Sequence, residues 1–187
     1  MLIVGGRDRR LGARADARAR AGVSLEVIER EPAWRPSGTA MYLPGNAARA
    51  LGREAQVASR AVEIPRQRFR DQRGRLLFEV DVAELWRPVG PCLAIHRADL
   101  HELLLEAAGD VPIRLGLTMN RVTDQGRIVS VELSDGTSGD YDLVVAADGI
   151  GSAVRRLNFG STALPRPVGQ VGWRFLAPRP PSSRPGR

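Results

Sequence analysis

Apolar residues fall along this chain in short runs, and the spacing of the runs predicts alternating strands and helices. Leu143 to Ala146 is an unbroken apolar run, preceded by Asp142 and followed by Asp148-Gly149. Such a run suits a parallel strand covered on both faces. Asp148-Gly149 turns the chain, and Ser152 can cap a short helix carrying Ala153, Val154 and Leu157. At the start, Leu2-Ile3-Val4 reads as a buried strand running into Gly5-Gly6. Val23 to Arg30 reads as the next strand. The segment between them has the length of one crossover helix, closed by Gly22.

Further along, Glu31 to Gly38 is a Pro-rich loop, and a helix is expected over Ala47 to Leu51. Ile64 to Phe69 and Leu76 to Val80 flank Asp71-Gln72-Arg73-Gly74, the pattern of a hairpin. Glu84 to Pro91 reads as a loop, with Trp86 as a packing residue. His96 opens an amphipathic helix in which Leu100, Leu103 and Leu104 share a face. Val111 to Leu115 is a short strand. Leu117 to Val122, Ile128 to Leu133 and Gly139 to Tyr141 form a β-meander, with turns at Asp124-Gln125-Gly126 and Ser134-Asp135-Gly136. Val168 to Ala177 reads as one more strand, and Pro178 to Arg187 as a disordered tail. The fold class is α/β, with a parallel sheet, a meander and a separate antiparallel piece.

Composition narrows the functions this frame can carry. The 187 residues are 43% hydrophobic, enough for one sizeable core. The formal charge is +7, and every one of the 28 basic residues is Arg. Apart from one block at Arg7 to Arg10 these are scattered, and aromatics make up only 5%, too few for a base-stacking surface. Nucleic acid is therefore not expected as a partner. Cys92 is the only cysteine, which excludes an internal disulfide and fits a reducing compartment. No apolar stretch is long enough for a membrane helix, and the N-terminus lacks the apolar core of a signal peptide. A cytoplasmic location is expected.

The candidate chemistry lies where the strands end. Asp148 sits at the carboxyl end of a strand, where open α/β sheets bind ligands. Its carboxylate can accept from ribose hydroxyls, and Gly149 and Gly151 let a ligand approach the backbone. Gly5 and Gly6, followed about 20 residues later by Glu29, have the frame of a dinucleotide-binding βαβ unit. The phosphate loop departs from that pattern, because Arg7 and Arg10 stand where glycine is required. Two arginines there can clasp phosphate by charge, but glycine's geometry is lost. The segment Ala13 to Ala21 alternates Ala and Arg and has little apolar surface to bury. A frame slip is a second account: GGG-CGG-GAT-CGG-CGG, read one base later, encodes Gly-Gly-Ile-Gly-Gly. The coding sequence decides between them. Arg97 stands in the first turn of the Leu-rich helix, where a cation is disfavoured unless it has an anion to hold. His96 and His101 have no Cys, His or carboxylate cluster around them that would make a metal site.

Taken together, the strand, Asp148-Gly149, Ser152 and the arginines that follow resemble the second fingerprint of the flavin-dependent aromatic hydroxylases, the para-hydroxybenzoate hydroxylase-like monooxygenases. The resemblance implies a Rossmann-like FAD-binding domain, with 62–91 and 168–177 as elements of a substrate-binding sheet. It implies FAD as cofactor, NADH or NADPH as co-substrate, and O₂ and a small aromatic molecule as substrates. It implies contacts to FAD from Gly5 and Gly6, from Glu29 and Arg30, from Arg35 and Gly38, and from Arg97. Backbone near Val122 would lie beside adenine, and Asp148 and Gly149 would serve both flavin and nicotinamide. No catalytic side chain is implied, since the flavin does the chemistry. That family's third fingerprint is absent, so the chain is expected to be an N-terminal portion spanning 1–177 and inactive alone. Two other readings stay open: another FAD oxidoreductase of the same fold, such as a dehydrogenase or halogenase, or an inactive frame-disrupted fragment.

Overall fold

The computed structural model describes residues 1–5, 23–34, 38–160 and 164–178. The phosphate-loop arginines, the first crossover helix, Gly6, Arg35 and all but the first residue of the Pro-rich tail lie outside these.

Four short strands form a parallel sheet: β1 (Leu2–Val4), β2 (Glu26–Glu29), β8 (Ile113–Leu115) and β12 (Val144–Ala146), in the order β12-β1-β2-β8. Val27 and Ile28 in β2 are β-branched, fit the pleat and are fully buried. All four strands run the same way, so their carboxyl ends gather at one edge of the sheet. One expectation is corrected here. The run from Leu143 to Ala146 is only partly buried: Leu143, just before β12, is 52% exposed, Val144 and Val145 are half-buried and Ala146 is exposed.

A second layer holds β3 (Ala40–Leu43), β4 (Ala61–Glu63) and β7 (Leu93–His96), antiparallel in the order β3-β7-β4. Around it pack α1 (Gly45–Ala50), α2 (Glu54–Ser59) and α4 (Arg97–Ala108). In α4 the buried residues are Leu100, Leu103, Leu104 and Ala108, one helical stripe. They meet Leu43, Val57, Leu93 and Ile95 in one core.

The meander is β9 (Met119–Asp124), β10 (Val129–Leu133) and β11 (Ser138–Tyr141). Its turns are held by local carboxylates: Asp124 Oδ1 accepts from the Gly126 amide at 2.8 Å, and Asp135 Oδ1 from the Thr137 amide at 3.0 Å. Met119, Val131 and Leu133 pack on Leu2, Val4 and Ile28 of the parallel sheet, and on Val154 of α5 (Ala153–Phe159). Polar groups fix the same junction. Tyr141 donates to Glu26 Oε2 at 2.8 Å, and Arg114 bridges Glu26 at 3.3 Å and Asp135 at 2.6 Å. Burial, reinforced by the Glu26 carboxylate, pushes the Tyr141 phenol up to about 12.

The hairpin forms as expected from β5 (Arg66–Arg70) and β6 (Leu76–Asp81), with Phe69 stacked on Phe78 at 4.3 Å. Two expectations fail nearby and at the far end. Glu84 to Trp86 is not loop but part of α3 (Val82–Trp86), because Asp81 caps it by accepting from the Glu84 amide at 2.8 Å. Val168 to Ala177 forms no strand. Gly169 and Gly172 weaken it, and no strand edge among the described residues pairs with it.

Candidate functional site: a cavity at the carboxyl ends of the parallel strands

The loops that leave β1, β2 and β12 enclose a cavity of about 570 Å³, within the usual range for small-molecule sites. It is lined by Val4 and Gly5 at the end of β1, Glu29 and Arg30 at the end of β2, and Asp148 to Gly151 after β12. Arg97 at the start of α4, Met41, Leu117, Thr118, Ala153 and Arg156 complete it.

Each of these positions has a local cause. Gly5 closes β1 by donating to Ile28 O at 2.7 Å. Glu29 alternates onto the cavity end of β2 and is only 4% exposed. A carboxylate so buried needs donors, and the Glu31 amide supplies one to Oε1 at 3.1 Å. Leu117 is drawn in by its own amide, which donates to Glu29 O at 2.9 Å.

Asp148 is held more tightly than a turn residue need be. Its Oδ2 accepts from the amides of Ala153 at 2.6 Å and Val154 at 3.2 Å. Ser152 Oγ accepts from the Arg155 amide at 2.9 Å. The first turn of α5 therefore has two caps, one of them charged, which suits the positive end of a helix. Gly149 between them adopts φ 82°, a left-handed conformation that side chains disfavour. The tight loop so formed presents Gly149, Ile150 and Gly151 to the cavity.

On the opposite side, Gly38 adopts φ 131°. A Cβ there would stand 2.7 Å from Arg97 Cδ, so only glycine lets this loop lie across the arginine. The Arg97 amide donates to Thr39 O at 3.3 Å. The stem of Arg97 thus lies against Gly38 while the residue reaches the cavity.

Of the expected cofactor residues, Gly5, Glu29, Arg30, Arg97, Asp148 and Gly149 come together on this cavity. Gly38 touches it through Arg97. Gly6 and Arg35 lie outside the described residues. Val122 is not brought to the cavity: it packs against the core under the meander. Leu117 and Thr118 line the wall instead. Nothing in the local pattern marks those two, which arrive through the connection after β8. Arg156 did carry a signal, as the second of two adjacent arginines in a helix that follows the Asp-Gly turn. Among the described residues no three His, Cys, Asp or Glu side chains are grouped to hold a metal ion. No helix among them is long and apolar enough to cross a membrane.

This combination defines a class: an α/β sheet with a glycine and a buried acidic residue at the carboxyl ends of its parallel strands, the place where open α/β sheets bind ligands. Comparison with known proteins makes the class more definite. No protein-family model matches the chain. It is 33% identical over 159 residues to the aurachin C monooxygenase/isomerase of Stigmatella aurantiaca, covering 83% of this chain and 41% of that protein. It is 34% identical over 143 residues to a flavin-dependent monooxygenase of Legionella longbeachae, covering 75% of this chain and 37% of that protein. Among solved structures, p-nitrophenol 4-monooxygenase from Pseudomonas putida superposes with a TM-score of 0.71 at 25% identity, over 83% of this chain and 42% of that one. HpxO from Klebsiella pneumoniae, solved with FAD and uric acid, has the same fold, with a TM-score of 0.70 at 24% identity over 83% and 40%. The chain is a relative of flavin-dependent monooxygenases of the aromatic-hydroxylase type. It spans about two fifths of the length of the curated relatives it matches.

Proposed function

We propose that the cavity binds FAD and that this chain is the cofactor-binding portion of a flavin-dependent monooxygenase acting on a small aromatic molecule. The observation that carries this reading is the convergence of Gly5, Glu29, Arg97, Asp148 and Gly149 on one cavity at the carboxyl ends of three parallel strands. Those residues come from four separate parts of the sequence and suit different parts of a dinucleotide.

The residues fit the group on their own chemistry. Glu29 is a buried carboxylate at the end of β2 whose Oε1 accepts from the Glu31 amide; an acidic residue at this place suits a ribose, whose hydroxyls donate. Gly5 leaves room for a diphosphate to approach the backbone. Arg97, with its stem fixed under Gly38, sets a guanidinium against anionic or carbonyl oxygen. Asp148 acts through position: by holding α5 it keeps the Gly149 to Gly151 loop open as a wall. The bound flavin supplies the redox and oxygen chemistry, and NADH or NADPH is the reductant in this reading.

The test has two parts. Titration of the chain with FAD, followed by flavin fluorescence, is expected to saturate, with Arg7 and Arg10 in the phosphate loop keeping the affinity modest. The same sequence carried to the relatives' full length is expected to oxidise NADH or NADPH and to consume O₂ faster when an aromatic substrate is added. Lack of saturation in the first assay overturns the cofactor assignment. Oxidation with no aromatic-dependent O₂ uptake overturns the monooxygenase assignment and favours another flavin oxidoreductase.

A further inference from the structure

Leu117 and Thr118 give the cavity one of its walls, and backbone ties set that wall from both ends. At one end it is tied to the exit of β2: the Gly116 amide donates to Glu31 O at 3.1 Å and the Leu117 amide to Glu29 O at 2.9 Å. At the other end it enters β9 through an irregularity. Glu132 of β10 pairs with Arg121, but Leu133 pairs with Met119, so Asn120 is the extra residue of a bulge. A bulge shifts the register of what lies beyond it and re-aims the chain. Just beyond this one, Thr118 faces Ser134.

Ser134 holds Thr118 by two bonds. Its amide donates to Thr118 O at 2.9 Å, and its Oγ accepts from the Thr118 amide at 3.1 Å. In a regular ladder a carbonyl would take that amide; here a side chain does. The turn that carries Ser134 is anchored as well. Asp135 Oδ2 accepts from Arg114 Nη2 at 2.6 Å, and the same nitrogen donates to Thr137 Oγ1 at 3.0 Å. Arg114 stands in β8 and also donates to Glu26 of β2 at 3.3 Å. The hydroxyl and amide of Thr137, with Arg114 adding to them, hold the Asp135 carboxyl below the usual carboxylate range. A chain of contacts therefore runs from the parallel sheet through Arg114, Asp135 and Ser134 to Thr118, and none of the first three lines the cavity.

We infer that Ser134 is a positioning residue for the ligand of this cavity: anchored through Asp135 and Arg114, it holds the wall at Leu117 and Thr118 where it meets the ligand. This rests on the reading of the cavity as the FAD site. The role needs a hydroxyl at residue 134 and is separate from the general stability of the meander.

The experiment titrates FAD, followed by flavin fluorescence, into the wild-type chain and into Ser134→Ala, Ser134→Thr, Asp135→Ala, the variant carrying both alanines, and Ser130→Ala. A denaturation midpoint accompanies each titration. Ser130 is the control: its Oγ donates to Asp140 Oδ1 at 2.6 Å and accepts from Gln125 Nε2 at 2.9 Å, at the end of β10 away from Thr118. Ser134→Ala is expected to weaken FAD by roughly two- to tenfold, the scale of one neutral hydrogen bond. Ser134→Thr keeps the acceptor and should restore the wild-type affinity. Ser130→Ala should lower the midpoint and leave the affinity unchanged. Asp135 acts through Ser134, so the losses of the two alanine variants should not multiply when combined. Four results overturn the inference and leave the FAD reading standing: unchanged affinity in Ser134→Ala, no rescue by Ser134→Thr, an equal loss in Ser130→Ala, or losses that multiply. A wild-type chain that does not bind FAD overturns both.

Discussion

Asp148 and Asp142 bracket the same strand, yet their surroundings differ at the level of single atoms. Asp148 accepts two helix amides, whereas Asp142 is exposed. Asp148→Ala is expected to cost about 1–2 kcal/mol, the scale of a lost cap, and to weaken FAD binding because the Gly149 loop loosens. Asp142→Ala should stay within about 0.5 kcal/mol, as exposed substitutions do. Denaturant midpoints and FAD titrations of the two variants check this; matching effects would refute the assignment of Asp148 as the positioning residue. Glu29→Ala should lower FAD affinity by about 1.5–3 kcal/mol, the range for hydrogen bonds to a charged group, read by the same titration. Tyr141 offers a pH handle. Its folded pKa lies near 12, above its ordinary value of 10.0, so the folded state favours the neutral phenol. That contribution is complete below about pH 10 and is lost as pH rises towards 12. Denaturation midpoints measured across this window should fall for the wild type, and the fall should be shallower in Tyr141→Phe.

At the scale of elements, the sharpest constraint is where α1 begins. A Cβ at Gly45 would sit 2.3 Å from the Gly90 carbonyl oxygen, a backbone atom with no side-chain freedom to move aside. Gly45→Ala should therefore push α1 off the segment after α3 and destabilise the antiparallel layer. By contrast Gly52→Ala meets nothing within 4 Å, and costs only the strain of its φ of 60°. Comparing the two by thermal denaturation separates steric clash from backbone strain: the Gly45 variant should melt well below the Gly52 variant. In α4 the buried stripe makes the helix a packing element as well as a mount for Arg97. Leu103, 2% exposed, should cost about 2–5 kcal/mol when cut to Ala.

For the molecule as a whole, apolar surface outside the cavity is the dominant feature. Leu76, Leu77 and Phe78 on the hairpin are 51%, 60% and 52% exposed, and Val171, Trp173 and Phe175 are 78%, 86% and 80% exposed. Exposed apolar side chains in such number promote association. The chain is expected to bind a hydrophobic dye in its native state and to associate as concentration rises. Replacing Val171, Trp173 and Phe175 together by Ser should reduce both signals, by dye fluorescence and by sedimentation; an unchanged signal would place the sticky surface elsewhere.

Much of this architecture was legible in the order of residues, because local rules sufficed. Apolar runs ending in glycine or Asp-Gly marked β1, β2 and β12, and the i, i+3, i+4 leucines marked α4. Asx turns marked the meander, and Asp148, Glu29 and Arg97 stood out by their places at element ends. Tertiary structure alone decided the rest. Whether β12 is covered or an edge depends on which strands pair beside it, and sequence pattern carries only the strand's own hydrophobicity. The helical turn at Val82 to Trp86 depended on a side-chain cap from Asp81, and Val168 to Ala177 forms no strand because no edge among the described residues pairs with it. Val122 went to the core while Leu117 and Thr118 took the cavity wall, because a strand's register over its neighbours sets which residues reach a ligand. Arg30 and Arg156, far apart in the chain, line one cavity, and only the fold could bring them there.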